Sequence, residues 1–217
     1  MTTKVELDRK VKAKGWEIAE ALRADFRKRG IYAVNLIGSP GAGKTSLLEA
    51  LAPRLQGKAA VIEGDLQTDE DKRRIERCGL PAYEINTIGA CHLDAKMVEN
   101  ALTEFPIPDK QFLFIENVGN LVCPASCEIG EDIKIAVISV TEGGDKPAKY
   151  PVALRVSAAM VISKLDLLPY VDCDVERMER DALAANPEIE IFKISAKNGD
   201  GLDEFLSWLE ELRAARN

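Results

Sequence analysis

Histidine is almost absent: His92 stands alone among 217 residues, and no cysteine precedes Cys78. A chain so poor in imidazole and thiol cannot hold metal in bulk. This weighs against a storage protein and confines metal chemistry to a few positions. Long apolar runs are missing too. No stretch approaches the ~20 residues that cross a bilayer, and the opening MTTKVELDRK lacks the apolar core of a secretion signal, so a cytoplasmic protein with no membrane partner is expected. Nor is there a surplus of positive charge, because 29 Lys and Arg against 36 Asp and Glu leave a net charge of −7. That balance argues against a nucleic-acid partner or an anionic-membrane footprint and makes any phosphate affinity local. The five cysteines, Cys78, Cys91, Cys123, Cys127 and Cys173, are odd in number; in a reducing compartment they read as thiols or metal ligands rather than disulfide partners.

What is present starts with Ile31 to Leu48, IYAVNLIGSPGAGKTSLL. An apolar strand-like run leads into Gly38-Ser-Pro-Gly41-Ala42-Gly43-Lys44-Thr45-Ser46, and a helix-compatible pattern follows. The middle fits G-x-x-x-x-G-K-[ST], and the flanks are those a phosphate-binding loop requires. The glycines let backbone N–H groups turn toward phosphate, and the helix N-terminus adds its unpaired amides. Lys44 is expected on the β- and γ-phosphates and Thr45 on Mg²⁺.

The rest of the chain alternates strand and helix patterns, which predicts an α/β, three-layer P-loop NTPase with a mostly parallel sheet flanked by helices. Residues 1–30 read as a leading helix with a partial apolar stripe of Val11, Trp16, Ile18, Leu22 and Phe26, packing on the domain or a partner; residues 31–217 form the domain. Two further strands end in carboxylates. Ala59 to Ile62 runs into Glu63-Gly64-Asp65, where Asp65 can reach Mg²⁺ or the attacking water. Gln111 to Ile115 runs into Glu116-Asn117-Val-Gly119-Asn120, the position of a Walker B acid and the switch after it. Asp69, Glu70 and Asp71 read as helix-start charges. Thr141 to Pro151 reads as a flexible loop of mixed charge.

Two constellations go beyond the phosphate loop. Cys91 and His92 are adjacent in a loop, and thiolate with neutral imidazole is the donor pair that Zn²⁺ and Ni²⁺ favour. The switch after Glu116 runs directly into Cys123. At the far end, Ser163-Lys164-Leu-Asp166 resembles the N-K-x-D guanine motif of GTPases, with Ser163 in place of Asn, and Ser195-Ala196-Lys197 resembles their last base-binding loop.

Taken together, GSPGAGKT, EGDLQTD, GACHLDA, FIENVGNLVCP, SVTEGGDKP and SKLDLLPYVD resemble successive signatures of the HypB family, P-loop GTPases of the SIMIBI class that help insert nickel into [NiFe] hydrogenase. The likeness covers about residues 34 to 200. It implies GTP hydrolysis to GDP with Mg²⁺ held by Thr45, Asp65 and Glu116, and a Ni²⁺ or Zn²⁺ site made of Cys91, His92 and Cys123. It also implies a homodimer dependent on metal and GTP, with a HypA-like nickel chaperone and the hydrogenase large-subunit precursor as partners. Three ligands leave a metal short of donors, so a second copy is expected to complete a site at or beside a two-fold interface, with Lys146 or Lys149 reaching across toward phosphate. Cys127 is either a fourth donor or an inert thiol. The related urease accessory GTPase UreG is the nearest rival, but its C-P-H triplet is absent. A P-loop small-molecule kinase would leave the Cys-His pair and S-K-x-D unexplained. On this reading GTP and GDP bind much better than ATP, and Asp166→Ala weakens that preference; equal affinities for ATP and GTP in competition titrations would remove the guanine assignment.

Overall fold

The computed structural model describes residues 4–65, 70–107 and 110–216, with residues 4–12 and Asp65 described by backbone alone. In chain order the elements are α1 (Lys4–Lys28), β1 (Tyr32–Ile37), α2 (Lys44–Leu55), β2 (Ala59–Asp65), α3 (Glu70–Arg77), β3 (Ala82–Asn86), α4 (Ala95–Glu104) and β4 (Phe112–Glu116). They continue with β5 (Ile133–Ser139), α5 (Lys146–Lys149), α6 (Pro151–Arg155), β6 (Ala159–Ser163), α7 (Val175–Ala185), β7 (Glu190–Lys193) and α8 (Leu202–Arg216). The strands form one sheet in the order β3-β2-β4-β1-β5-β6-β7, and every neighbouring pair is parallel.

Parallel strands joined by helices must be covered on both faces, and the central strands are accordingly apolar on both sides. Val34, Leu36 and Phe114 pack with Leu47, Leu51, Phe205 and Leu209 from α2 and α8, while Ala33, Leu113 and Ile115 pack with Phe26 and Val98 from α1 and α4. Helices α6 and α7 close the second face over β5 and β6 through Leu154, Met178 and Ala182. The expected three-layer P-loop architecture is therefore the observed one. Among the described residues no helix is long and apolar enough to cross a membrane.

Helix α1 ends where its sequence says it should. Gly30 takes φ +68°, its amide donates to Arg27 O at 3.1 Å, and the Ile31 amide donates to Phe26 O at 2.9 Å. These paired bonds around a left-handed glycine satisfy carbonyls that the helix itself leaves open. The expected stripe needs correction. Leu22 and Phe26 are buried and Ala19 joins them, but Trp16 is 55% exposed and faces away from the core; the Val11 side chain lies outside the description.

Thr141 to Pro151 is another correction, being ordered rather than a flexible loop. Ser139 and Glu142 form a reciprocal capping box around a single 3-10 turn, and Pro147 and Pro151 sit in the first turns of α5 and α6, where a missing N–H costs nothing. The mixed charges resolve into pairs one helical turn apart, Lys146 with Glu142 at 3.0 Å and Lys149 with Asp145 at 2.7 Å. Both lysines are thus engaged within their own segment. Residues 175–185, for which the sequence reading names no element, form α7, capped by Asp174 accepting from the Arg177 amide at 2.8 Å.

Phe26 is fully buried between α1, α4 and the sheet. Phe26→Ala is expected to cost about 3–5 kcal/mol in urea unfolding, and Trp16→Ala about 0.5 kcal/mol or less; similar losses for both would mean that α1 docks through a different face.

Candidate nucleotide and metal sites

The phosphate loop hangs from the C-terminal end of β1, between β4 and β5, where the strand order reverses. In doubly wound sheets that is where ligands bind. Gly41 and Gly43 take φ +73° and +95°, and a Cβ on Gly38 would lie 2.6 Å from Val137 O, so two of these positions need glycine for conformation and one for space. Gly43 is the residue before α2, which directs the amides of Lys44, Thr45 and Ser46 into the cleft. The cleft holds about 330 Å³ and is lined in part by Gly41, Lys44, Thr45, Glu116 and Gly119.

Lys44 is buried, with its ammonium donating toward Gly38 O and Ser39 O at 3.3 and 3.4 Å and lying 3.8 Å from Glu116. The Thr45 hydroxyl donates to Glu116 Oε1 at 3.0 Å, while Glu116 Oε2 is buried without a hydrogen-bond partner among the described residues. Burial pushes the Glu116 carboxyl up to about 7, against the pull of Lys44 and of the Thr45 bond. A hydroxyl and a buried carboxylate oxygen facing a phosphate loop form a donor set that fits a hard divalent cation such as Mg²⁺. Asp65 ends β2 opposite Asn86, but its side chain lies outside the description, as does Asp69.

Register reveals a carboxylate that the motif reading passed over. Glu63 pairs with Glu116 across β2 and β4, is buried, and lines the same cleft. Its signal was its place two residues before Asp65 on the same face of a strand. Arg74 of α3 also lines the cleft; it donates to Glu49 at 3.0 and 2.6 Å, to Asp71 at 2.7 Å and to Ser46 at 3.3 Å, so Asp71 serves an ion pair as well as the helix start.

A second cavity of about 530 Å³ continues from the first, with Gly43, Ser46 and Lys164 common to both. Lys164, Asp166, Ala196 and Lys197 line it, and Ser195 is fully buried behind, its hydroxyl donating to Asp166 Oδ1 at 2.8 Å. The segments around Asp166 and Ser195 are thereby tied to one another. Ser163 has a role of its own, since its hydroxyl donates to Ala42 O at 2.5 Å and anchors this segment to the phosphate loop.

Cys91, His92 and Cys123 come together, with one sulfur or nitrogen from each within 4.8 Å of the others. Cys91 Sγ lies 3.4 Å from His92 Nδ1. Two thiols and an imidazole suit Zn²⁺ or Ni²⁺ and are a poor cage for Mg²⁺ or Ca²⁺. The hydrogen bond to Cys123 raises the Cys91 thiol pKa above its ordinary value, and a metal there must displace that proton. Cys127 stays outside this group of three; it is half-buried, and burial raises its thiol pKa. The sequence pattern places Cys91, His92 and Cys123 after the C-terminal ends of neighbouring strands, and one detail departs from this. The loops carrying Cys91 and Cys123 follow β3 and β4, which are not neighbours, because β2 runs between them. They meet above β2, where Asp94 caps α4 by accepting from the Met97 amide at 2.8 Å and so terminates the metal loop.

The phosphate cleft and the group of Cys91, His92 and Cys123 share a wall. Asn120 forms a β-bridge with Gly38 of the phosphate loop, and its side-chain amide donates to Cys91 O at 3.3 Å. Gly119 lies so close to Pro40 that a Cβ there would come within 2.6 Å of the ring.

A family model described as CobW/HypB/UreG, nucleotide-binding domain, matches residues 32–193. The chain is 50% identical over 213 residues to the hydrogenase maturation factor HypB of Escherichia coli (strain K12), covering 97% of this chain and 73% of that protein. It is 39% identical to the hydrogenase/urease maturation factor HypB of Helicobacter pylori, covering 95% of this chain and 87% of that one. A crystal structure of Helicobacter pylori HypB in complex with nickel is similar at a TM-score of 0.88 and 39% identity, over 93% of this chain and 96% of that chain.

Burial of Glu116 has a measurable consequence. With its carboxyl near 7 in the fold and at the ordinary 4.5 when unfolded, the folded chain holds a proton between those values that the unfolded chain has released. This contribution to the stability of the ligand-free protein is present at low pH and is lost as pH rises through 7. Glu116→Gln is expected to be more stable than the unsubstituted protein above pH 7 and to lose that advantage toward pH 4.5 in urea titrations; a difference independent of pH would show that Glu116 does not titrate there.

Proposed function

The chain belongs to the HypB family of hydrogenase maturation factors, and from that premise we propose that it is a GTPase whose cycle controls a nickel or zinc ion held by Cys91, His92 and Cys123. The metal is cargo for assembly of a [NiFe] hydrogenase. The observation that carries this reading is the Gly119–Asn120 segment, which touches the phosphate loop at Gly38 and Pro40 and the metal loop at Cys91.

In this reading Asp166 accepts from the donor edge of guanine, with Ser195 fixing its carboxylate and the Lys164 side chain passing beside Gly43. Amides at the start of α2 bind the phosphates, and Lys44 gives its charge to the β- and γ-phosphates in exchange for the Gly38 and Ser39 carbonyls it now faces. Thr45 and Glu116, with Asp65, would hold Mg²⁺, which when bound neutralises charge developing on the transferred phosphate. The γ-phosphate orders the segment from Glu116 to Asn120 against Pro40, and this moves Cys123 relative to Cys91.

The same surface suits a homodimer. Ile88, with φ +50° and 92% exposed, and Val122, 61% exposed, flank the metal cluster and offer apolar contact around a site short of donors. A HypA-like chaperone and the hydrogenase large-subunit precursor are the partners proposed for metal entry and exit, in the cytoplasm. A urease target is the second reading, favoured by the hydrogenase/urease name of the Helicobacter pylori relative.

Metal content and solution mass with GDP and with a non-hydrolysable GTP analogue test this scheme. Lys44→Ala is expected to abolish hydrolysis and keep metal, whereas Cys123→Ala loses metal and GTP-dependent dimerisation. Gly119→Ala leaves every ligand in place but pushes the switch off Pro40, so a coupling of about 1–3 kcal/mol between nucleotide and metal affinity should collapse. Unchanged dimerisation and metal affinity in Cys123→Ala would overturn the shared-site scheme.

A further inference from the structure

A chain of polar side chains crosses the apolar core beneath the metal loop. Asn35 and Asn117 are buried in β1 and just after β4, and Glu131 and Lys134 are buried just before and within the start of β5. Lys134 Nζ lies 2.6 Å from Glu131 Oε1, Asn35 Nδ2 donates to Glu131 Oε1 at 3.1 Å, and Asn117 Nδ2 donates to Asn35 Oδ1 at 3.2 Å. At the end of the chain Asn117 Oδ1 accepts two backbone amides, Leu93 in the metal loop and Val118 in the switch, each at 3.0 Å. Polar groups buried in this way destabilise the fold unless they are satisfied, so their geometry is tightly constrained.

The chain has a direction set by charge. Burial by itself would lower the Lys134 pKa, but pairing with Glu131 and Glu128 carries it above the ordinary lysine value, so the ammonium keeps its charge. Facing that ammonium, the Glu131 carboxylate only accepts. Asn35 must therefore turn its NH₂ to Glu131 and its oxygen to Asn117. Asn117 in turn must present its NH₂ to Asn35 and its oxygen to Leu93 and Val118. A flip of either carboxamide would set oxygen against oxygen and amide against amide.

We propose that Asn117 is a positioning residue for the Cys91–His92 pair, and that Asn35, Glu131 and Lys134 act through it by fixing the orientation of its carboxamide. One oxygen thus holds the metal loop, one residue beyond His92, and the switch on the same anchor. The proposal rests on the metal-site reading above and adds to it a buried network that runs from Asn117, at the wall of the phosphate cleft, to Asn35, Glu131 and Lys134 in the core. The second end of the network reaches α1, where Arg23 donates to Glu131 O at 2.9 Å and to Glu128 Oε2 at 2.6 Å. The network is thereby tied to α1 as well as to the loop before α4.

The test uses full-length Asn117→Ala and Glu131→Gln, with two readouts. In metal-free protein, exchange of the Leu93 and Val118 amides is followed by NMR; both are expected to lose about tenfold or more of their protection in Asn117→Ala, and less in Glu131→Gln. With Ni²⁺ added, the thiolate-to-nickel absorption band is titrated. Affinity should fall about tenfold or more in Asn117→Ala, and in the same direction in Glu131→Gln, while GDP affinity in Glu131→Gln stays within about twofold. Faster exchange with unchanged Ni²⁺ affinity would reduce Asn117 to a structural residue and overturn the proposal, as would unchanged exchange. If Asn117→Ala fails to fold, Glu131→Gln decides by the same two measures. If Cys91→Ala binds Ni²⁺ as tightly as the unsubstituted chain, the metal-site reading fails, and the exchange arm still judges the anchor.

Discussion

Everything functional in this molecule depends on the parallel pairing of β1 with β4. Leu36 lies opposite Glu116 in that ladder, so the loop after β1 and the loop after β4 leave the sheet side by side at one edge. A parallel sheet can do this where an antiparallel one cannot, because all strand ends of one polarity lie together. The phosphate loop and the switch are therefore neighbours by topology, and the contacts of Gly119 with Pro40 and of Asn120 with Gly38 finish what the ladder begins.

Charge burial follows from the same pairing. Lys44, Glu63 and Glu116 are all nearly inaccessible, an arrangement that an apolar core would not tolerate without mutual compensation or a ligand. Here the compensation is partial. The Lys44 ammonium faces two carbonyls and a carboxylate at the long end of interaction distance, and Glu116 keeps a buried oxygen without a partner among the described residues. Such a site is preorganised for charge that arrives with a ligand, since it contains donors whose present partners are weak. The group of Cys91, His92 and Cys123 is different in kind, with an exposed Cys91 and half-buried His92 and Cys123.

Much of this was legible in the residues. The glycine spacing from Gly38 to Gly43, the strand before it and the helix after it identify the phosphate loop because the constraint is local: φ values, amide directions and a helix terminus all lie within a dozen residues. Gly30 as a helix stop is of the same type. Trp16 misled because an apolar stripe on a charged helix cannot say where the layer it packs on comes to an end. The segment from Thr141 to Pro151 misled because its alternating charges look like solvated loop until they are seen as pairs one turn apart.

By itself the sequence determined the fold class and the nucleotide loop and singled out Cys91, His92 and Cys123 by residue type, since each rests on short-range spacing and on the chemistry of single side chains. Only the tertiary structure decided which long-range neighbours meet. Cys91 and Cys123 converge although β2 separates their strands, Glu63 joins Glu116 through strand register, Ser163 turns to Ala42, and Asn35 and Asn117 meet inside the core. Strand order and register are set by how the whole apolar pattern closes around the sheet, and no local segment carries that information.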